Sequence, residues 1–441
     1  MKLNVVGGIC LCICLLVAWP SSASTDAVLW WNESAGRAAI AACLAPTGNA
    51  LAESRMYAMV HVAMHDALNA IDRQSRPYAF EAQVTGRTSR NAALASAARD
   101  VLVSVLGQLQ ESAQCIQDGI ASVEADYAAA LAVIVDGDAK TRGVMLGQAA
   151  AEAILTLRAT DGSDTPLQDF SYPQGTQPGQ YRFHSGLPFA FAPGWGDVTP
   201  FVLRHASQFR AGPPYRIESR KYAADFNEVK SFGGDGIFPN VRTPEQTEIG
   251  FFWVESSPLA WNRIARSISA RAHLSVHANA RLFGLLNMAL ADGYIGSWES
   301  KYHYSFWRPV TAIHQADSDG NPDTAGDPTW TPSLGFTYPI PDHDSAHSVE
   351  GGAAAEVLKE FFGTDHIRFK ACSMTLPAGS TCADPSPRLR SYSSFSEAAN
   401  ENGLSRILIG IHFRRAVTEG IEHGRKIGRR AVNRYLRPVH D

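Results

Sequence analysis

The stretch "YPIPDHDSAHSVEGGAAAEVL", Tyr338 to Leu358, decides how this chain is read. Its first residues are punctuated by Pro339 and Pro341, which a helix interior does not tolerate, so the approach is extended. An alanine-rich run follows, with the composition of a helix. Between them, Ser345-Ala346-His347-Ser348 presents a serine and a histidine at a helix N-terminus, where free backbone N–H groups and the helix dipole favour an anion. This is the shape of an oxyanion pocket.

Outward from it, the same helix is expected to run to about Phe362. A cysteine-bounded loop and a final helix from about Leu404 to Tyr435 come next. Upstream, helices are expected at Pro244 to Trp253, Pro258 to His273 and Val276 to about His303, followed by a turn-rich loop from Asp317 to Thr337. The N-terminal part reads as two helices between Ala38 and Ile71, broken at Pro46-Thr47-Gly48. Alanine-rich helices then span Asn91 to Leu109, Gln117 to Val135 and Asp138 to Ala159. From Asp164 to about Asn240 the chain turns to proline, glycine and aromatic residues, too aromatic for a free linker, and reads as ordered loops laid across a helical core. Strand signals are nearly absent and no repeat of fixed period occurs. The expected fold is therefore all-α: a large single-domain helical bundle, residues 25–441, with long Pro/Gly-rich loops. Its helical first half covers residues 25–240 and its pocket half residues 241–441.

The 441 residues are 45% apolar, ordinary for a chain with a sizeable core. Residues 1–24 have one lysine, an apolar run from Val5 to Trp19 and small residues near Ala23, the order of a secretory signal. The expectation is a secreted or periplasmic protein with no membrane segment after signal removal; the alternative is an uncleaved amphipathic anchor. Loss of the leader with Lys2 leaves 38 basic against 43 acidic residues, so no global charge calls for nucleic acid. The basic C-terminal stretch reads as a solvated helix face. Four cysteines remain. Cys372 and Cys382 enclose a loop of turn formers and are the first expected disulfide, with Cys43 to Cys115 following by elimination; four buried thiols are the other option.

Three segments carry polar residues that helix packing does not ask for. The first is "KYHYSFWRP", where Lys301 and Arg308 are expected at a helix end closed by Pro309. The second is Ser345 with His347. The third is "SRILIGIHFRR", in which Ser405 and His412, seven apart, would share one helix face and Arg406 would reach over it. Together they give two guanidinium groups, an ammonium, a hydroxyl, backbone amides and two imidazoles, a set that neutralises a tetrahedral oxyanion and still holds a ligand or nucleophile plus an acid/base group. No Walker loop, dinucleotide fingerprint or zinc-protease helix is present. His61 and His65, four apart beside Asp66, read as packing or hydrogen-bonding residues rather than a metal pair.

These segments resemble the signature shared by vanadium-dependent haloperoxidases and type 2 phosphatidic acid phosphatases: Lys, six residues, Arg-Pro; Pro-Ser-Gly-His; Ser-Arg, five residues, His, three residues, Asp. The aromatic surroundings "ALADGYIGSWESKYHYSFWRP" are similar to the haloperoxidase branch. The specific likeness covers roughly Leu285 to Gly428. It implies a vanadate cofactor with His412 as its axial ligand, or a histidine nucleophile in a phosphatase. It implies His347 as the opposite acid/base group, and equatorial oxygens held by Lys301, Arg308, Ser345, the Ala346 amide and Arg406. The catalytic set is then His347, His412 and Lys301. The implied partners are hydrogen peroxide, a halide and a small organic acceptor, or a phosphate ester, and the resemblance extends to proteins that are often oligomeric.

The chain departs from the pattern at four places. Ala346 stands for the glycine, which a negative φ would allow. Asp344 stands for the proline and is expected near the anion site, or holding His343 or an arginine. Ala416 stands for the final Asp, which weakens the phosphatase reading, with Glu419 one turn on as a substitute. Ile340 occupies the place that distinguishes halide classes and assigns neither. The leading expectation is an exported haloperoxidase, against an acid phosphatase using the same pocket without metal and an inactive oxyanion-binding helical protein.

Overall fold

The computed structural model describes residues 26–184, 186–236 and 241–439; the expected leader lies outside them. Thirteen α-helices make up the described fold. α1 (Ala27–Ala41) and α2 (Ala50–Ile71) flank the break at Pro46, and α3 (Arg90–Leu106), α4 (Ala113–Ala132) and α5 (Asp138–Leu157) complete the first half. Asp26, Asn49, Ser89 and Ser112 cap the first four, each side chain accepting an orphan amide of the first turn. After the excursion come α6 (Arg220–Phe232), α7 (Pro244–Phe252), α8 (Ser257–Ala272), α9 (Val276–Tyr304), α10 (Pro309–Gln315), α11 (Ala346–Phe362), α12 (Phe395–Leu408) and α13 (Arg414–Arg434).

α9 is the axis of the molecule. Its 29 residues give a rod of about 43 Å, buried from Leu282 to Trp298 and packed on α2, α11 and α13. One apolar core takes residues from both halves: Met56, Met64 and Leu94 meet Phe283, Leu286, Val349 and Leu358. α11 and α13 lie in backbone contact because Gly420, Gly424 and Gly428 form a bare row on α13, where a Cβ at Gly424 would overlap the Val349 carbonyl. Each fully buried aliphatic side chain on this seam contributes roughly 1.5–3 kcal/mol.

The excursion is ordered across the core, as its aromatic content predicts. A two-residue ladder joins β1 (Gln168–Asp169) to β2 (Ala190–Phe191). The Asp292 carboxylate on α9 accepts the amides of Phe201, Val202 and Leu203 and clamps the loop from below. The helix α6 inside it was not expected; Tyr222, Phe226 and Val229 do follow helical spacing there, but the surrounding glycines and prolines mask it. β3 (Phe369–Ala371) and β4 (Arg390–Tyr392) pair beside the second cysteine loop.

Both expected disulfides form, Cys43–Cys115 and Cys372–Cys382. The basic face of α13 is partly ion-paired, Arg414 to Glu228 and Arg429 to Glu356. Among the described residues no helix is long and apolar enough to cross a membrane.

Two local expectations need correction. The final helix is two helices, because the chain leaves α12 at Leu408 and turns at Gly410, whose φ of +81° and contact with the Gly233 backbone exclude a side chain. Pro309 does not end a helix: α9 closes at Tyr304 through Ser305 in the left-handed region, and Pro309 opens α10 with Arg308 as its N-cap.

Candidate active site

The three polar segments meet around one cavity. Lys301, Arg308, Ala346, His347, Arg406 and His412 form its polar end, and Leu51, Phe191, Tyr294, Trp298, Tyr338 and Ile340 much of the rest. The long excursion supplies Phe191, whose amide donates to the Pro339 carbonyl and whose carbonyl accepts the Tyr302 hydroxyl and Trp298 indole. The cavity is thus a charged floor beneath a largely apolar vestibule.

His412 does not ride on a helix with Ser405. It sits in the turn between α12 and α13, while the Ser405 hydroxyl bonds the Asn402 carbonyl within α12. The His412 ring is held from both sides. Nδ1 lies 2.8 Å from Asp342 Oδ1, and Nε2 is 3.2 Å from Arg308 Nη1. A carboxylate accepts and a guanidinium donates, so the ring carries its proton on Nδ1 and a lone pair on Nε2. Burial and the surrounding cations hold its pKa well below the usual value, so it is neutral at physiological pH.

Arg308 is fully buried, with Nε on the Ile340 carbonyl and Nη1 on the Ile411 carbonyl, while Nη2 has no partner among the described residues. Arg406 places Nη1 on the Trp253 carbonyl and leaves Nε unpartnered. Lys301 donates to the carbonyls of Pro341, Asp342 and Asp344. Burial, with Arg308 nearby, pushes its pKa down to about 7, yet three acceptors are more than a neutral amine has hydrogens for. His347 donates Nε2–H to the Glu255 carbonyl at 3.2 Å, leaving an Nδ1 lone pair, and burial keeps it neutral.

Ser345 is the N-cap of α11 but makes no side-chain cap; its hydroxyl accepts from Ser348, leaving its own proton free. It is buried one residue behind the cavity wall. Ala346 begins the helix and is not among the positive-φ residues, so alanine serves where the pattern has glycine. Its amide belongs to the first turn, which has no intrahelical acceptor.

The remaining expectations resolve as follows. Asp344 holds neither His343 nor an arginine: its carboxylate accepts from Ser297 and pairs with His423 Nδ1 at 2.8 Å. His343 instead bonds the Gly212 carbonyl. Glu419 does not substitute at His412, being bound to Arg415 and the Gly212 amide. Sequence reasoning offered Asp342 only as a candidate partner of the neighbouring His343 and missed its place at His412, because nothing in the spacing tied it to a histidine 70 residues later. His61 bonds Asn32, and His65 bonds Asp66 and Ser75, as packing residues.

Two buried guanidinium groups with unspent donors, the Lys301 ammonium beside them, two neutral imidazoles and a bare helix start suit a tetrahedral or trigonal-bipyramidal oxyanion. Vanadate therefore fits by the chemistry of the donor set. Among the described residues no cluster of three His, Cys, Asp or Glu side chains offers a cage for a bare cation.

Fold and site together define a helical bundle with a cationic cavity floor suited to an oxyanion. Residues 281–441 match the family model described as the VCPO second helical-bundle domain. The chain is 24% identical to the vanadium chloroperoxidase of Curvularia inaequalis, over 90% of this chain and 80% of that protein. Its fold matches the crystal structure of a bacterial vanadium-dependent iodoperoxidase, with TM-score 0.75 at 23% identity over 96% of this chain and 99% of that one. It also matches a holo-type bacterial vanadium-dependent chloroperoxidase, with TM-score 0.70 at 17% identity over 92% and 96%. The resemblance drawn from the three motifs is thus shared by the family model, a relative and the fold.

Proposed function

We propose that the protein is an exported, vanadate-dependent haloperoxidase that oxidises a halide with hydrogen peroxide, using His412 as the ligand to vanadium. The observation that carries this reading is the convergence of Lys301, Arg308, Arg406, His347 and His412, from three distant segments, on the floor of one apolar-walled cavity. The oxidation of halide is the chemistry the bound vanadate supplies. The chain's own residues do the rest. Arg308 Nη2 and Arg406 Nε, with the Ala346 amide, bind oxygens; the Nε2 lone pair of His412 faces the same floor; and neutral His347 takes or gives a proton at Nδ1. The vestibule of Phe191, Tyr294 and Trp298 excludes bulk water and admits a small organic acceptor. Two disulfides and the leader-like residues 1–24 support export.

The purified protein, loaded with orthovanadate, is expected to halogenate an organic acceptor with peroxide and chloride, bromide or iodide, and His412→Ala is expected to abolish this. No vanadate-stimulated turnover with any halide would sink the proposal. A second reading, a metal-free phosphatase with His412 as nucleophile, is favoured by the carboxylate behind that ring. It predicts hydrolysis of an aryl phosphate, inhibited by vanadate. Vanadate binding with neither activity would leave an inactive oxyanion-binding protein.

A further inference from the structure

We infer that Asp342 is the positioning residue of His412, standing in from the loop before α11 for the carboxylate that the third motif places at 416 and this chain lacks. The inference rests on His412 being the ligand or nucleophile, and it removes the weakness that Ala416 introduced.

The geometry is specific. Asp342 Oδ1 is 2.8 Å from His412 Nδ1, and both groups are buried. The residue that carries the carboxylate is held at its backbone. Its backbone amide donates to the Phe306 carbonyl, its own carbonyl accepts from Lys301, and Arg308 Nη1 stands 4.0 Å from Oδ1. The other acidic candidates are engaged elsewhere, Asp344 with His423 and Glu419 with Arg415. The Ala416 side chain has nothing to offer; its carbonyl accepts the Ser345 amide instead.

One carboxylate therefore does two things. It pins the ring plane and tautomer so that the Nε2 lone pair is available, and the hydrogen bond it accepts from Nδ1–H makes Nε2 a better donor towards vanadium or phosphorus. Arg308 bridges the arrangement, touching Nε2 with the same Nη1 that faces Asp342. The motif's role is kept while its residue has moved from the start of one helix to the approach of another.

The test compares two anions. Vanadate forms a bond to the histidine nitrogen, whereas sulfate is held by the cations and amides alone. By calorimetry, Asp342→Asn is expected to lower vanadate affinity about 10- to 100-fold, and to leave sulfate affinity unchanged, because sulfate takes no bond from the His412 nitrogen. Unchanged vanadate affinity, or a parallel loss of both anions as from general disruption, overturns the assignment. Should the variant not fold, histidine nitrogen NMR on the wild-type protein decides: a proton on Nδ1 of His412 and a bare Nε2 support the inference, and the opposite tautomer overturns it. Neither measurement depends on turnover. A wild type that binds as expected but does not halogenate would remove the functional reading and leave Asp342 standing; a halogenating wild type indifferent to Asp342→Asn would do the reverse.

Discussion

Lys301 donates to three carbonyls of the segment 341–344, so its ammonium ties the loop that carries Asp342 to α9. It also adds positive charge to the cavity floor. With its pKa pushed down to about 7 by burial and by Arg308, the ammonium loses its proton just above neutrality, and anion affinity falls as pH rises through that value. A bound anion favours the ammonium and displaces the fall upwards. Sulfate, whose charge is constant over this range, is the suitable probe: calorimetry should show weakening binding with rising pH, and Lys301→Met should bind less tightly and lose that dependence. A wild-type profile that is flat across neutral pH would show that Lys301 stays charged throughout.

At the scale of the element, the start of α11 makes a sharper point. Ser345 has φ −81° and ψ 111°, a conformation a following proline accepts, and Ala346 occupies the first helical position, where proline is well tolerated. Ala346→Pro should therefore fold with a near-unchanged melting temperature while deleting the cavity-lining amide proposed to bind the anion. Vanadate affinity is expected to drop about tenfold, or about 1.4 kcal/mol, the order of one hydrogen bond to a charged group. Retained affinity would show that this amide does not bind the ligand.

For the whole molecule, two stabilising devices can be separated. Cys43–Cys115 closes 72 residues and Cys372–Cys382 closes 10, so loop-closure entropy assigns them about 4 and about 3 kcal/mol. Thermal unfolding of the two double-serine variants should show the larger loss for the first pair. Glu53, buried in α2, has its pKa raised to about 8 by burial, with Glu255 adding to the shift. Its folded pKa lies above its ordinary value of 4.5, so the stability it contributes is fully present below that value and is lost as pH rises through about 8. Denaturant titrations should show this decline, and Glu53→Gln should flatten it.

Most of the helices, both disulfide pairs and the side chains of the charged floor were legible in the sequence. Each rests on local chemistry: apolar spacing for α2 and α9, proline and glycine breaks, and residue types at fixed intervals around Lys301, Ser345 and Arg406. What failed to show were features set by distant contacts. The turn at Gly410, which takes His412 off the helix, is imposed by the Gly233 backbone, a contact between residues 177 positions apart. Asp342 and Asp344, two positions apart, each hold a different histidine, His412 and His423. Sequence by itself determined which groups are available for an oxyanion; tertiary structure decided which carboxylate backs which imidazole, because a hydrogen bond across 70 residues is fixed by how α9, α11 and α13 pack and leaves no periodic trace along the chain.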